Sequence, residues 1–253
     1  MDQPVLYVFN ISHYCEKARW ALDYFGIAHR VQHVMAGQQR RIAKKLGASG
    51  GSVPFLQIGQ QVIVGSSAII DWAETHRAAG APSLTGSAPE QVRAIEKRLD
   101  DIAGVHVRRF FYSDALTENP NSVRPIFSNG LPIFQRLAVI VTWPKIASVM
   151  KKLMDLGPAQ REQSKAIVDV ELTWLDGLLA DGRPYLTGSE FTRADLTAAA
   201  LLAPVVDPKE HPVHGLVPFP SHVAATMQAW AERPSLRLVR DAYATQRWRV
   251  AAT

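Results

Sequence analysis

Ser12-His13-Tyr14-Cys15 is the stretch on which the fold turns. It follows the apolar run Val5 to Phe9 and precedes Glu16-Lys17-Ala18-Arg19-Trp20-Ala21-Leu22, so the order reads strand, tight loop, helix. The first N–H groups of a helix lack partners and the macrodipole is positive there, so a hydroxyl or thiol at this point faces a position that favours an anion. Ser12 and Cys15 both stand near it. Taken alone, the motif reads as a plain N-cap serine and a small buried cysteine, a reading that the rest of the chain reverses.

Two further segments match the same design. Ser52-Val53-Pro54-Phe55-Leu56 opens an apolar strand with proline where a missing N–H is tolerated, and Gly59-Gln60 turns it into Val62-Ile63-Val64. Gly65-Ser66-Ser67-Ala68-Ile69-Ile70-Asp71-Trp72 then reads as a serine-capped helix with Ile69, Trp72, Ala73 and His76 on one face. In the second half, after Tyr185-Leu186-Thr187-Gly188, Thr192 is an N-cap, Asp195 completes a capping box, and Phe191 with Leu196 forms a hydrophobic staple. Trp230-Ala231-Glu232-Arg233-Pro234-Ser235 closes the series. With these motifs the chain resembles the glutathione transferase superfamily over nearly its whole length, the stretch from about Phe111 to Gln163 excepted.

The resemblance implies an α/β thioredoxin-like N-terminal domain over residues 1–79, a linker at 80–87 and an all-α C-terminal domain over 88–253. It implies a cis Val53-Pro54 bond, and a cytoplasmic homodimer serving detoxification. The implied activity is that of a glutathione transferase, with glutathione as co-substrate, no metal, and a small hydrophobic electrophile as the second reactant. Ser12 takes the place of the catalytic serine or cysteine and its hydroxyl donates to the glutathione sulfur; Cys15 takes the second cysteine's place in a C-x-x-C. With serine first, dithiol exchange is unavailable, and conjugation, thiolytic cleavage or isomerisation is favoured.

The same resemblance supplies the binding residues. Val53, beside Pro54, pairs its backbone with the cysteinyl part of glutathione, and Ser66 takes the γ-glutamyl carboxylate; Gly65 stands where the family commonly has Glu or Gln. His13 replaces a frequent proline, next to Tyr14. Arg40, with Arg41, Lys44 and Lys45, fits either the glycyl carboxylate or a solvated helix face. Arg108, Phe111 and Tyr112 fit either a second-substrate pocket or a packed interdomain face. Two other functions stay open: a non-catalytic binding or interaction protein on this fold, and a glutaredoxin-like enzyme using Cys15.

Composition narrows the classes. With 253 residues, 47% of them hydrophobic and 20% charged, the chain has ordinary globular composition. One cysteine excludes an internal disulfide and a multi-cysteine metal site, and the eight histidines show no ligand spacing. The net charge of +5 invites a nucleic-acid partner, but the basic residues are scattered, from Arg108 and Arg109 to Arg247 and Arg249, with no accompanying motif; none is expected. Met1-Asp2-Gln3-Pro4 shows no basic leader. The apolar runs Leu137 to Trp143 and Ala198 to Val206 fall short of a membrane span of about 20 residues.

The order β-α-β-α-β-β-α is expected up to Gly80, the stop of the third helix. From Ser87, boxed with Glu90, a long helix carries Val92, Ile95, Leu99, Ile102, His106 and Phe110 on one face. Pro120, Pro125, Gly130, Pro132, Pro144 and Gly157-Pro158 are expected to break the chain beyond that helix into short pieces. Ile167, Val170, Trp174 and Leu178 mark the next helix, and Pro204 is expected to stop the apolar one after it. Helices around Val223 to Trp230 and Leu236 to Tyr243 finish the chain.

Overall fold

Leu6 and Val8 are buried while Val5 and Tyr7 are half-buried, the period-two pattern of a strand packed on its inner face. The computed structural model describes residues 3–216 and 219–247; Met1-Asp2 and Arg249 lie outside them. Strand β1 (Val5–Val8) pairs in parallel with β2 (Arg30–His33) and antiparallel with β3 (Phe55–Ile58), which forms a hairpin with β4 (Gln61–Val64). The sheet order is β2-β1-β3-β4. Helices α1 (His13–Tyr24), α2 (Gln39–Lys45) and α3 (Ser66–Thr75) complete the thioredoxin-like unit, and the Val53-Pro54 bond is cis, as expected. Helix α1 packs against α3.

The cap of α3 differs from expectation. Gly65 is the N-cap, at φ 93°, a conformation glycine adopts without strain, and no side chain caps the helix. Ser66 is buried in the first turn. The helix ends at Thr75, well before Gly80, so His76 is exposed and Trp72 half-buried; Ile69, Ile70 and Ala73 form the inward face.

The long helix has a break in register that the sequence pattern does not show. Helix α4 (Pro89–Arg98) starts at Ala88 with no side-chain cap, so the expected Ser87–Glu90 box does not form; Pro89 sits in the first turn, where its missing N–H costs nothing. A π turn over Leu99–Ala103 then leads into α5 (Gly104–Ala115), with the Gly104 N–H reaching back five residues to Leu99 O. One inserted residue rotates everything after it. The buried positions therefore run Val92, Ile95, Leu99, Ala103, Val107 and Phe110, and the expected Ile102 and His106 are only half-buried.

Helices α6 (Pro120–Ser128), α7 (Ile133–Leu153), α8 (Pro158–Leu178), α9 (Arg193–Val206), α10 (Ser221–Trp230) and α11 (Pro234–Gln246) complete the chain. Prolines break them less than expected: Pro125, Pro144 and Pro204 all lie inside helices. Pro144 is exposed, so the carbonyl it leaves unpaired can be hydrated, while Val139, Trp143 and Ala147 anchor both halves of α7 in a second core with Val123, Ile126 and Phe127. The Trp143 indole donates to Pro120 O at 2.9 Å. Leu137 to Trp143 is thus one part of a 21-residue helix, long and apolar enough to cross a membrane by length and composition, with Phe134 and Val141 exposed by 80% or more. Helix α8 buries Val168, Leu172 and Leu175; the expected Val170 is exposed.

The main core joins the sheet and α1 to the helices around α9, whose start is the expected capping box. The Asp195 carboxylate accepts from the N–H of Leu186 at 2.7 Å, the N–H of Thr192 at 2.9 Å and the Thr192 hydroxyl at 2.8 Å. A buried ionic cluster ties the two halves together. The Lys17 ammonium of α1 lies 2.9 Å from Glu96 and 2.7 Å from Asp100, and the Arg193 guanidinium of α9 lies 2.7 Å from the other Glu96 oxygen and 2.5 Å from Asp71 of α3. Burial opposes charge at Glu96, but Lys17 and Arg193 hold its carboxyl below the ordinary range.

Candidate functional site

Strand β1 ends in the loop that carries Ser12, and Ser12 is the N-cap of α1: its Oγ accepts from the Cys15 N–H at 3.4 Å. The hydroxyl forms part of the wall of a cavity of 690 Å³. Phe9, Ile11, His13, Tyr14, Ser52 and Val53 line it from the sheet side; Arg108, Phe111 and Tyr112 of α5, Ile146 and Met150 of α7, and His211, Val213 and Phe219 close the other. Of the expected site residues, the fold brings Ser12, His13, Tyr14, Val53, Arg108 and Tyr112 to one cavity. Cys15, Arg40, Pro54, Gly65 and Ser66 do not line it. Arg40 is exposed and lies over Gly51, whose Cβ, if present, would meet its side chain at 2.7 Å.

The three polar groups of the Ser12 loop have different chemistry. Burial pushes the Cys15 thiol up to about 12, with the Ser12 hydroxyl and the Phe9 backbone pulling the other way, and the thiol is 3% exposed. It is a neutral core group at physiological pH. Burial likewise raises Tyr14 to about 12, against the opposing charge of Arg108, and its hydroxyl donates to the Asp100 carbonyl at 2.6 Å. That contact fits the π turn. Gly104, just beyond it, leaves room for the tyrosine: a Cβ there would meet the Tyr14 hydroxyl at 2.6 Å. Ser12 is left as the half-exposed hydroxyl at the helix N-terminus.

Val53 is half-buried and joins no backbone hydrogen bond among the described residues, so its peptide groups can pair with an extended ligand, as in strand addition. Ser66 lies at the N-terminus of α3 beside the ionic cluster, where Ser67 donates to Asp100 at 2.8 Å and accepts from Lys17 at 3.2 Å. Burial drives His13 down to about 3, Arg108 and His211 adding to the effect; His211 is lowered by burial too. The Nε2 atoms of both are buried without a partner among the described residues. Sequence reasoning missed His211 because it lies in an irregular segment after α9, where no periodicity or motif marks it.

The fold also gathers Asp114, Glu118 and His222, a group that linear spacing did not reveal. Arg161 occupies it: one guanidinium nitrogen lies 3.0 Å from Asp114, 3.4 Å from Glu118 and 3.1 Å from His222. A cation is thus already in place there, and the three groups join it in an ion-pair and hydrogen-bond network.

Residues 6–82 match the sequence model described as glutathione S-transferase, N-terminal domain. No curated protein sequence matches the chain. Among solved structures, the chain is similar to a glutathione transferase, GSTFuA3, from Phanerochaete chrysosporium, at 16% identity and a TM-score of 0.62, over 96% of this chain and 97% of that one. The β-etherase LigF from Sphingobium sp. strain SYK-6 is similar at 16% identity and a TM-score of 0.58, over 94% and 99%. A maleylacetoacetate isomerase from Anaeromyxobacter dehalogenans 2CP-1, with bound dicarboxyethyl glutathione and citrate, is similar at 20% identity and a TM-score of 0.52, over 96% and 90%. These likenesses establish the glutathione transferase fold.

Proposed function

We propose that this protein is a glutathione-dependent enzyme in which the Ser12 hydroxyl donates to the glutathione sulfur and holds it as thiolate, for attack on a small electrophile in the adjoining cavity. The observation that carries the reading is Ser12 itself: a half-exposed hydroxyl at the N-terminus of a 12-residue helix, on the wall of a 690 Å³ cavity. A free thiol with a pKa of about 8.5 is mostly protonated at neutral pH, so a donor at the positive end of a helix supplies what the chemistry lacks. The backbone of Val53, without a backbone partner among the described residues, supports a tripeptide alongside, and the buried N-terminus of α3 at Ser66 suits its γ-glutamyl carboxylate.

Cysteine chemistry fits less well, because Cys15 is buried, neutral and outside the cavity lining. Thiol attack, thiolytic ether cleavage and isomerisation all begin from the same thiolate. The cytoplasmic, homodimeric and detoxifying character implied by the resemblance belongs to this reading.

Turnover with glutathione and a generic electrophile tests it. Ser12→Ala is expected to lower kcat about a hundredfold with little change in glutathione KM, since one positioned donor to a developing anion is worth about 3 kcal/mol. Cys15→Ala is expected to change kcat by less than about threefold. The reverse pattern overturns serine activation.

A further inference from the structure

Buried cations elsewhere in this fold are matched by carboxylates: Lys17 and Arg193 by Glu96, Asp100 and Asp71, and Arg247 by Glu16 at 2.6 Å and Asp23 at 2.8 Å. The cavity breaks that rule. Arg108 is half-buried in its wall and makes no hydrogen bond or ion pair among the described residues. Beside it, His13 is 4% exposed and His211 8% exposed, and each has a buried Nε2 with no partner among the described residues. Two orphaned ring nitrogens and a guanidinium with no ion pair gather on this one cavity, where an anionic group on a ligand would answer the guanidinium.

The acidic groups on the same cavity do not answer them. Asp114 and Glu118 are engaged by Arg161, and Asp207 lies 3.2 Å from His214. Lys145 of α7 adds a second cation to the lining. The remaining wall near Arg108 is apolar and aromatic, with Phe111 packed edgewise on Phe110 and tilted against Phe219.

We infer that the second ligand of this cavity is an organic acid: an aromatic-sized apolar body whose carboxylate or sulfonate is held by Arg108, with His13 and His211 facing the same group. A planar guanidinium fork matches such an anion in two hydrogen bonds, and the cavity walls take the apolar remainder. This deepens the proposed function, on which the identity of the cavity as second-substrate site rests. The binding chemistry itself stands on Arg108 and the two histidines, and needs neither glutathione nor turnover.

The test is a fluorescence titration of the purified protein, without glutathione, using 8-anilinonaphthalene-1-sulfonate and its uncharged counterpart N-phenyl-1-naphthylamine. Arg108→Gln is expected to weaken the sulfonate about tenfold to a hundredfold and the uncharged probe by less than about twofold, with Arg108→Lys recovering part of the loss. Equal weakening of both probes, or of neither, overturns the inference. So does an Arg108→Gln variant that loses glutathione affinity while keeping the sulfonate, since the arginine would then serve the tripeptide. Absence of turnover by the native protein with glutathione and a range of electrophiles, by contrast, removes the transferase reading and leaves this result untouched.

Discussion

Two polar clusters flank helix α1, and they differ in how far they are satisfied. On one side Lys17, Glu96, Asp100, Arg193 and Asp71 form a closed set in which each buried charge has at least one partner within 3 Å. On the other, Arg108, His13 and His211 share a cavity, and the guanidinium and both Nε2 atoms have no partner among the described residues. The difference teaches which cluster is architecture. Closed charges resist removal of any one member, because the rest stay buried and unpaired. Removing an unpaired group, by contrast, strands no charged partner.

The largest expected effect breaks the closed side. Lys17→Met leaves Glu96 and Asp100 facing each other without their shared cation and is expected to cost about 3–5 kcal/mol, read as a fall in the urea midpoint. Asp195→Ala strips acceptors from two buried N–H groups and is expected to cost about 2–3 kcal/mol by the same measurement, with Thr192→Ala near 1 kcal/mol. Thr192 and Asp195 lie outside the cavity lining, so in those two variants glutathione affinity should hold in any fraction that folds.

A pH series probes the open side. His13 faces Arg108, His211, the Tyr14 ring and the Gly104 backbone, and its pKa falls to about 3 through burial first and Arg108 second. Its folded value lies below the unfolded 6.5, so the unfolded chain binds the extra proton and stability drops as pH falls through 6.5. Between pH 7 and pH 5 this one group is expected to cost about 2 kcal/mol. His13→Gln should flatten the stability profile over that interval by this amount; a profile as steep as that of the native protein would mean that His13 is not held neutral. The smallest effect belongs to Arg108→Gln, which should shift stability by less than about 0.5 kcal/mol. A larger loss would move Arg108 into the architectural class.

How much of the molecule was legible in the sequence depended on how local each signal is. The strand-loop-helix at Ser12, the Gly59-Gln60 hairpin and the Thr192–Asp195 box are written within a few neighbouring residues, and the fold reproduces them. The π turn is not local. It is accompanied by Tyr14 reaching Asp100 and by Gly104 leaving room for that ring, partners 86 residues apart, and it decides which face of α5 meets the cavity. Proline signals misled for a related reason: at Pro144 the tertiary anchors Val139, Trp143 and Ala147 outweigh one lost hydrogen bond. The ionic cluster was invisible because its members come from α1, α3, α4 and α9 and from the π turn.

Activation of the thiol by Ser12 is tested most directly by titrating the thiolate absorbance of bound glutathione against pH. The native protein should hold the thiol below its free value of about 8.5, Cys15→Ala should leave that value unchanged, and Ser12→Ala should return it to that of free glutathione. A thiol pKa unmoved by Ser12→Ala but raised by Cys15→Ala would contradict serine activation.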